Sequence, residues 1–105
     1  MKNITFNMPI DDILYIRERG LVVTGKIEYG NINIGDKVRF ETPQGKIIRN
    51  EVRLDGIEIL GQANTVTEGT SVGLFFKIPY IRNKEMGLEV LPIRVGDSVK
   101  KSLRP

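Results

Sequence analysis

The sequence predicts an all-β domain, a small closed antiparallel β-barrel. Three observations carry this. Short runs with apolar and polar residues alternating at period two recur along the chain, Gly- and Pro-containing turn signals separate them, and no stretch shows a helix-length amphipathic stripe. About seven short strands with regular turn punctuation define a barrel or a sandwich. Closure follows because a small open sheet would leave two unpaired edges. The 105 residues suit one domain with one hydrophobic core. The barrel is expected over about residues 4–92, with residues 93–105 as a basic C-terminal tail or an extra strand.

Taken in order, Ile4 to Met8 is a short mixed segment ending at Pro9. Pro9-Ile10-Asp11-Asp12 reads as a turn or the start of an edge strand, since proline lacks a ladder donor. Ile13 to Ile16 then pairs as a strand. Leu21 to Tyr29 is the clearest strand: Leu21, Val23, Gly25, Ile27 and Tyr29 share the inward face, and Val22, Thr24, Lys26 and Glu28 the other. An inward Gly25 implies a close backbone approach or a bend. Tyr29-Gly30-Asn31 marks a turn, Ile32 and Ile34 alternate with asparagines, and Gly35-Asp36 is a further turn. Val38 and Phe40 alternate with charged residues. Thr42-Pro43-Gln44-Gly45 fits a β-turn with proline second and glycine fourth.

Ile48, Val52 and Leu54 continue one face of the next strand, interrupted at Asn50. The phase changes at Asp55-Gly56, as a hairpin turn or a β-bulge would cause. Ile57 and Ile59 carry the pattern on, with Glu58 outward. Residues 61–69 are loop-like. Val72, Leu74, Phe76 and Ile78 form another inward set, with Phe75 opposite and Pro79 ending it. Ile81 to Met86 is expected as one helical turn, and Leu88 to Leu91 as the last barrel strand. Val95-Gly96-Asp97 echoes Ile34-Gly35-Asp36; the echo reads as one turn chemistry used twice, not as a repeat architecture.

Composition narrows the function. With no cysteine and no histidine, disulfides, thiolate chemistry, ordinary zinc sites and histidine acid–base catalysis are excluded. No nucleophile has a recognisable base partner. Asp11 and Asp12 are adjacent, so on a strand they point to opposite faces and do not form a carboxylate dyad. There is no Gly-x-x-x-x-Gly-Lys-Ser/Thr phosphate loop, and Asn83-Lys84-Glu85-Met86 ends in a methionine that cannot read a guanine edge. The expectation is a protein that is not an enzyme and takes no cofactor and no metal. No signal-peptide pattern and no apolar run near the roughly 20 residues of a membrane span is visible, so a cytoplasmic protein is expected. The net charge of +3 is weakly basic and compatible with ordinary solubility charge. Lys46, Arg49 and Arg53 lie at near-alternate positions, as a phosphate-meeting stripe or as a solvated face around Glu51. Phe75 is either a stacking or partner-facing aromatic or one covered by a chain end.

Five motifs in order add a resemblance. Met8-Pro9-Ile10-Asp11-Asp12-Ile13 is followed by Arg19-Gly20-Leu21-Val22-Val23-Thr24-Gly25, then Ile34-Gly35-Asp36-Lys37-Val38, Gly56-Ile57-Glu58-Ile59 and Gly69-Thr70-Ser71-Val72-Gly73-Leu74. Over roughly residues 6–91 this order and spacing resembles domain 2 of the elongation factor Tu-type translational GTPases. The resemblance implies a Greek-key β-barrel that packs beside a G domain and helps hold the 3′ end of aminoacyl-tRNA. It places Glu58 at the family's pocket glutamate and Ser71 where the family has asparagine, a hydroxyl in place of an amide. Leu74-Phe75-Phe76-Lys77-Ile78-Pro79 replaces the family's Leu-Leu-Leu-Arg-Gly.

The expected function is therefore a stand-alone, non-catalytic module like domain 2 of elongation factor Tu. It would contact tRNA, rRNA, the ribosome or a translation-related protein through Glu58, Ser71, Arg49, Arg53 and Phe75. The alternative is a protein–protein or structural barrel with no nucleic-acid role. A G domain joining in trans is a further partner, and neither DNA nor a membrane is expected. The starting methionine and the residues after Pro92 favour an independent protein over an excised domain.

Overall fold

The computed structural model describes residues 6–16, 19–61, 66, 68–77, 81–83, 87–89 and 92–103, and every regular element among them is a β-strand. In chain order these are β1 (Phe6–Pro9), β2 (Asp12–Ile16), β3 (Gly20–Lys26), β4 (Tyr29–Gly30), β5 (Lys37–Glu41), β6 (Ile47–Arg53), β7 (Gly56–Leu60), β8 (Ser71–Phe76), β9 (Ile81–Asn83), β10 (Gly87–Glu89) and β11 (Ser98–Lys101). They form a five-stranded sheet in the order β4-β1-β11-β5-β6, a four-stranded sheet in the order β2-β3-β8-β7, and the β9-β10 pair. Every ladder is antiparallel.

The two larger sheets share one core. Phe6, Met8, Val38, Phe40 and Val99 from the first, and Leu21, Val23, Val72, Leu74 and Phe76 from the second, belong to a single buried cluster. The Phe40 and Phe76 rings meet edge to face across it, centroids 5.3 Å apart. Among the described residues the ladders do not join into one continuous ring. Three strands bend as they leave one sheet for the other. The first bend is at Ile10 between β1 and β2, the second at Ile27 between β3 and β4, and the third at Leu54 between β6 and β7. All three residues are buried. The backbone hydrogen bonds change sheet there. Ile27 N–H donates to the Thr70 carbonyl at 2.9 Å, and Glu28 N–H donates to the Asn7 carbonyl at 2.9 Å.

The corners at Ile10 and Leu54 are built alike. Gly96 N–H donates to the Ile10 carbonyl and Ile10 N–H to the Asp97 carbonyl, as Gly35 N–H donates to Leu54 and Leu54 N–H to Asp36. The next residue in each case turns to the other sheet, Asp11 N–H to Thr24 and Asp55 N–H to Phe75. The registers repeat too. Met8 faces Val99 and Pro9 faces Ser98, while Val52 faces Val38 and Arg53 faces Lys37. A two-fold rotation through the Val23–Leu74 and Arg39–Lys100 pairs relates the two halves. The sequence echo is thus more than a reused turn: it marks an internal two-fold in strand register.

Each echoed turn is closed by its aspartate. Asn33 N–H donates to Asp36 Oδ2 and Arg94 N–H to Asp97 Oδ2, both at 2.8 Å, with Gly35 and Gly96 at φ 99° and 102°. Asp36 also takes Lys101 Nζ at 2.6 Å. Burial alone would raise the Asp36 carboxyl, but the Lys101 hydrogen bond, the Asn33 N–H and the Lys101 charge outweigh it and hold it below its ordinary value. A carboxylate with a depressed folded pKa lends stability that is full above its unfolded value near ~3.9 and is lost as pH falls through the folded value. Asp36→Asn is therefore expected to cost about 1–2 kcal/mol at neutral pH. The gap to wild type should close toward pH 2, a convergence that urea melts at the two pH values would read.

Several expectations change. Tyr29 is 41% exposed and Ile34 60% exposed, because the bend after Ile27 and the turn at Gly35 end the alternation. Of the stretch Ile81 to Met86 expected as a helical turn, Ile81–Asn83 is a strand paired with Gly87–Glu89, Arg82 in register with Leu88, and residues 84–86 lie outside the described residues. Leu88 is on that strand pair, so among the described residues the last strand of the core is β11, in the segment expected as tail or extra strand. Leu91 lies outside the described residues, as do Ile4, Ile78 and Pro79. Asp55-Gly56 is neither a hairpin turn nor the bulge but the corner. The register shifts lie between Val38 and Phe40 and between Phe40 and Glu41, where β6 carries extra residues and Glu51 takes φ 58°.

Candidate functional site

Pairing in register fixes which side chains share a face. On β7 and β8 Leu60 faces Ser71, Glu58 faces Gly73 and Gly56 faces Phe75. On β3 and β8 Lys26 faces Ser71, Thr24 faces Gly73 and Val22 faces Phe75. Leu14 on β2 extends the last row beside Val22. Glu58, Ser71 and Phe75 therefore lie together on the outer face of the four-stranded sheet, Ser71 and Phe75 both diagonal to Glu58. Glu58 is exposed, and Ser71 and Phe75 are partly exposed.

Small residues shape this patch. An added Cβ on Gly56 would touch Phe75 Cβ at 3.4 Å and Cδ2 at 3.5 Å, so the ring leans over the bare Gly56 backbone. Gly73 sits between the side chains of Val22 and Thr24. The internal two-fold is broken here: it sets Gly56, Glu58, Gly73 and Phe75 against Asp12, Leu14, Val22 and Thr24. The half with β7 and β8 combines a carboxylate, a hydroxyl and an aromatic face. Such a set accepts hydrogen bonds from hydroxyl or amino groups and offers a ring for stacking.

Arg49 and Arg53 are not part of that patch. They are exposed on β6, in the other sheet, and Arg53 Nε lies 3.6 Å from Asp55 Oδ1. The bend at Leu54 separates two stretches of chain that are neighbours in sequence. Lys26 joins the patch instead, directly opposite Ser71. Its signal was its place in the outward set Val22, Thr24, Lys26, but only the β3–β8 register reveals its neighbour. Lys46 is exposed at the hairpin before β6, where its N–H donates to Thr42 Oγ1 at 3.0 Å.

A groove of about 570 Å³ lies on the other side of β7, lined by Asn31, Ile32, Asn33, Ile34, Ile57, Ile59 and Val66. Among the described residues no three His, Cys, Asp or Glu side chains gather as a metal site, and no helix is long and apolar enough to cross a membrane. Compared with protein-family models, the sequence matches none.

Proposed function

We propose that this chain is a stand-alone, non-catalytic binding module like domain 2 of elongation factor Tu, working in the cytoplasm on RNA or a translation-related partner. The observation that carries the reading is the meeting of Glu58, Ser71 and Phe75 on one sheet face, where the resemblance puts the pocket for a tRNA 3′ end. The bent strands support a Greek-key barrel in which the corners at Ile10, Ile27 and Leu54 close the two sheets on each other. Phe75 would stack a base, Glu58 would accept from a ribose hydroxyl, Ser71 would add a shorter contact, and Lys26 would meet a phosphate.

Labelled tRNA and generic single-stranded RNA, titrated by fluorescence anisotropy over a salt series, test this. The expected result is tRNA binding that weakens about tenfold in Glu58→Ala, the scale of one hydrogen bond to a charged group. Equal binding of both RNAs, indifferent to Glu58, would reduce the patch to a generic surface. A second reading, a protein-docking barrel, is favoured by the outer apolar row Leu14, Val22 and Phe75, with Leu14 58% exposed. Absence of RNA binding at the lowest salt would select it. A G domain in trans is one partner such a row would suit.

A further inference from the structure

The outer face of the five-stranded sheet carries a charge arrangement that the Glu58 patch does not use. Lys37 and Arg39 point outward from β5, Arg53 on β6 stands opposite Lys37, and Lys100 on β11 stands opposite Arg39. Four cations thus hold adjoining positions on three strands. Same-face residues along a strand are roughly 7 Å apart and neighbouring strands about 4.8 Å apart. Adjoining members therefore lie within the Debye length of ~10 Å at 0.1 M salt. Like charges directly opposite in a ladder are destabilising.

Acids answer only part of this charge. Glu41 Oε2 takes Arg39 Nε at 2.9 Å, Asp55 lies by Arg53, and Glu51 sits in the bulge of β6. Among the described residues no acid is within ion-pair distance of Lys37, Lys100 or Arg49. Arg39 is also anchored by Nη1 to the Lys101 carbonyl, which fixes a guanidinium in the middle of the group. The outer face of the four-stranded sheet is the opposite case. Its outward strand residues include Asp12 and Glu58, with Lys26 as the one cation among those described.

We propose that the outer face of the five-stranded sheet, through Lys37, Arg53, Lys100 and the anchored Arg39, binds the phosphodiester backbone of RNA. The charge complementarity is specific to this face: a run of phosphates answers the in-register cations and relieves their mutual repulsion. The two sheets turn their outer faces away from a shared core, so this surface and the Glu58 patch are separate, and the inference does not rest on the reading of that patch.

The test uses the full chain and a fluorescein-labelled single-stranded oligouridylate, with the affinity measured against salt. Wild type should bind with a clear salt slope. Lys37→Gln combined with Lys100→Gln should lower that slope by about 1.4, at about 0.7 per phosphate contact on a single strand. The double variant should melt at or above the wild-type temperature, since a repulsion has been removed. If it loses its cooperative melt, Lys37→Gln with Arg53→Gln, both at exposed positions, takes its place. An unchanged slope in the folded variant overturns the proposal, and does so without touching the Glu58 reading. Polyglutamate bound as tightly as the oligouridylate overturns it as well, in favour of an acidic or indiscriminate partner. No binding of either probe at the lowest salt overturns it outright.

Discussion

Gly25→Ala is expected to destabilise the protein by about 3 kcal/mol or more, at or beyond the upper end of ordinary overpacking. A Cβ at this position would stand 2.2 Å from the Pro9 carbonyl oxygen and 3.1 Å from Met8 Cγ. The methionine side chain can move; the carbonyl cannot move cheaply. Pro9 is in register with Ser98, Ile10 N–H is bound to Asp97 at 2.8 Å, and Asp11 N–H is bound to Thr24 at 2.7 Å. Displacing Pro9 therefore strains the bend that carries the chain from one sheet to the other. Gly73→Ala is the matched control, because its added Cβ would meet Val22 Cγ1 at 3.6 Å and Thr24 Cγ2 at 3.8 Å, ordinary contacts. It should stay within about 0.5 kcal/mol of wild type or gain slightly, since glycine is a poor strand residue. Urea melts of the two variants give the comparison. Equal midpoints would mean that the corner yields freely and that the close approach does not hold the fold.

What could be read from the sequence was whatever a single strand carries within itself. Leu21, Val23, Gly25 and Ile27 are buried as their alternation requires, and the close approach at Gly25 follows from a glycine on an inward position. The same holds for Val38 and Phe40, and for Val72, Leu74 and Phe76. Periodicity fails where a strand changes sheet. Tyr29 continues the pattern of Val23 on paper, but the bend after Ile27 rotates it to solvent. Ser98–Lys101 is four residues with three polar side chains, too short for its alternation to show, and it becomes a strand because β1 and β5 flank it on both sides. Arg82 facing Leu88 is likewise a pairing that no local pattern announces.

The candidate site divides in the same way. Glu58 and Phe75 were legible as outward residues of their own strands. Their nearness depends on the β7–β8 register, and register is a long-range property set by the corner at Leu54, the burial of Leu74 and the packing of the half-buried Ile57 against the core. That corner also takes Arg49 and Arg53 out of the patch. The cations opposite one another on β5, β6 and β11 come from three separated stretches of chain, so no linear motif could have gathered them.

Phe40→Ala is expected to cost about 3–5 kcal/mol, the range for removing a fully buried phenylalanine. Phe40 has 0% exposure on β5 and Phe76 0% on β8, and their rings meet at an interplanar angle of 65° across the core. Truncating either ring leaves a cavity bounded by both sheets, which the paired strands on each side cannot collapse to fill. Part of the loss is the ring pair itself. A double-mutant cycle with Phe76→Ala should return a coupling of about 0.5–1.5 kcal/mol beyond the separate burial losses. Against a total stability of about 5–15 kcal/mol for a domain, either single change should shift the urea midpoint well below wild type. If the sheets are one cooperative unit, tyrosine fluorescence and far-UV circular dichroism should still report coincident transitions in both variants. Two separated transitions in Phe40→Ala would mean that each sheet holds its structure without the other, and that the ring contact joins two units instead of completing one.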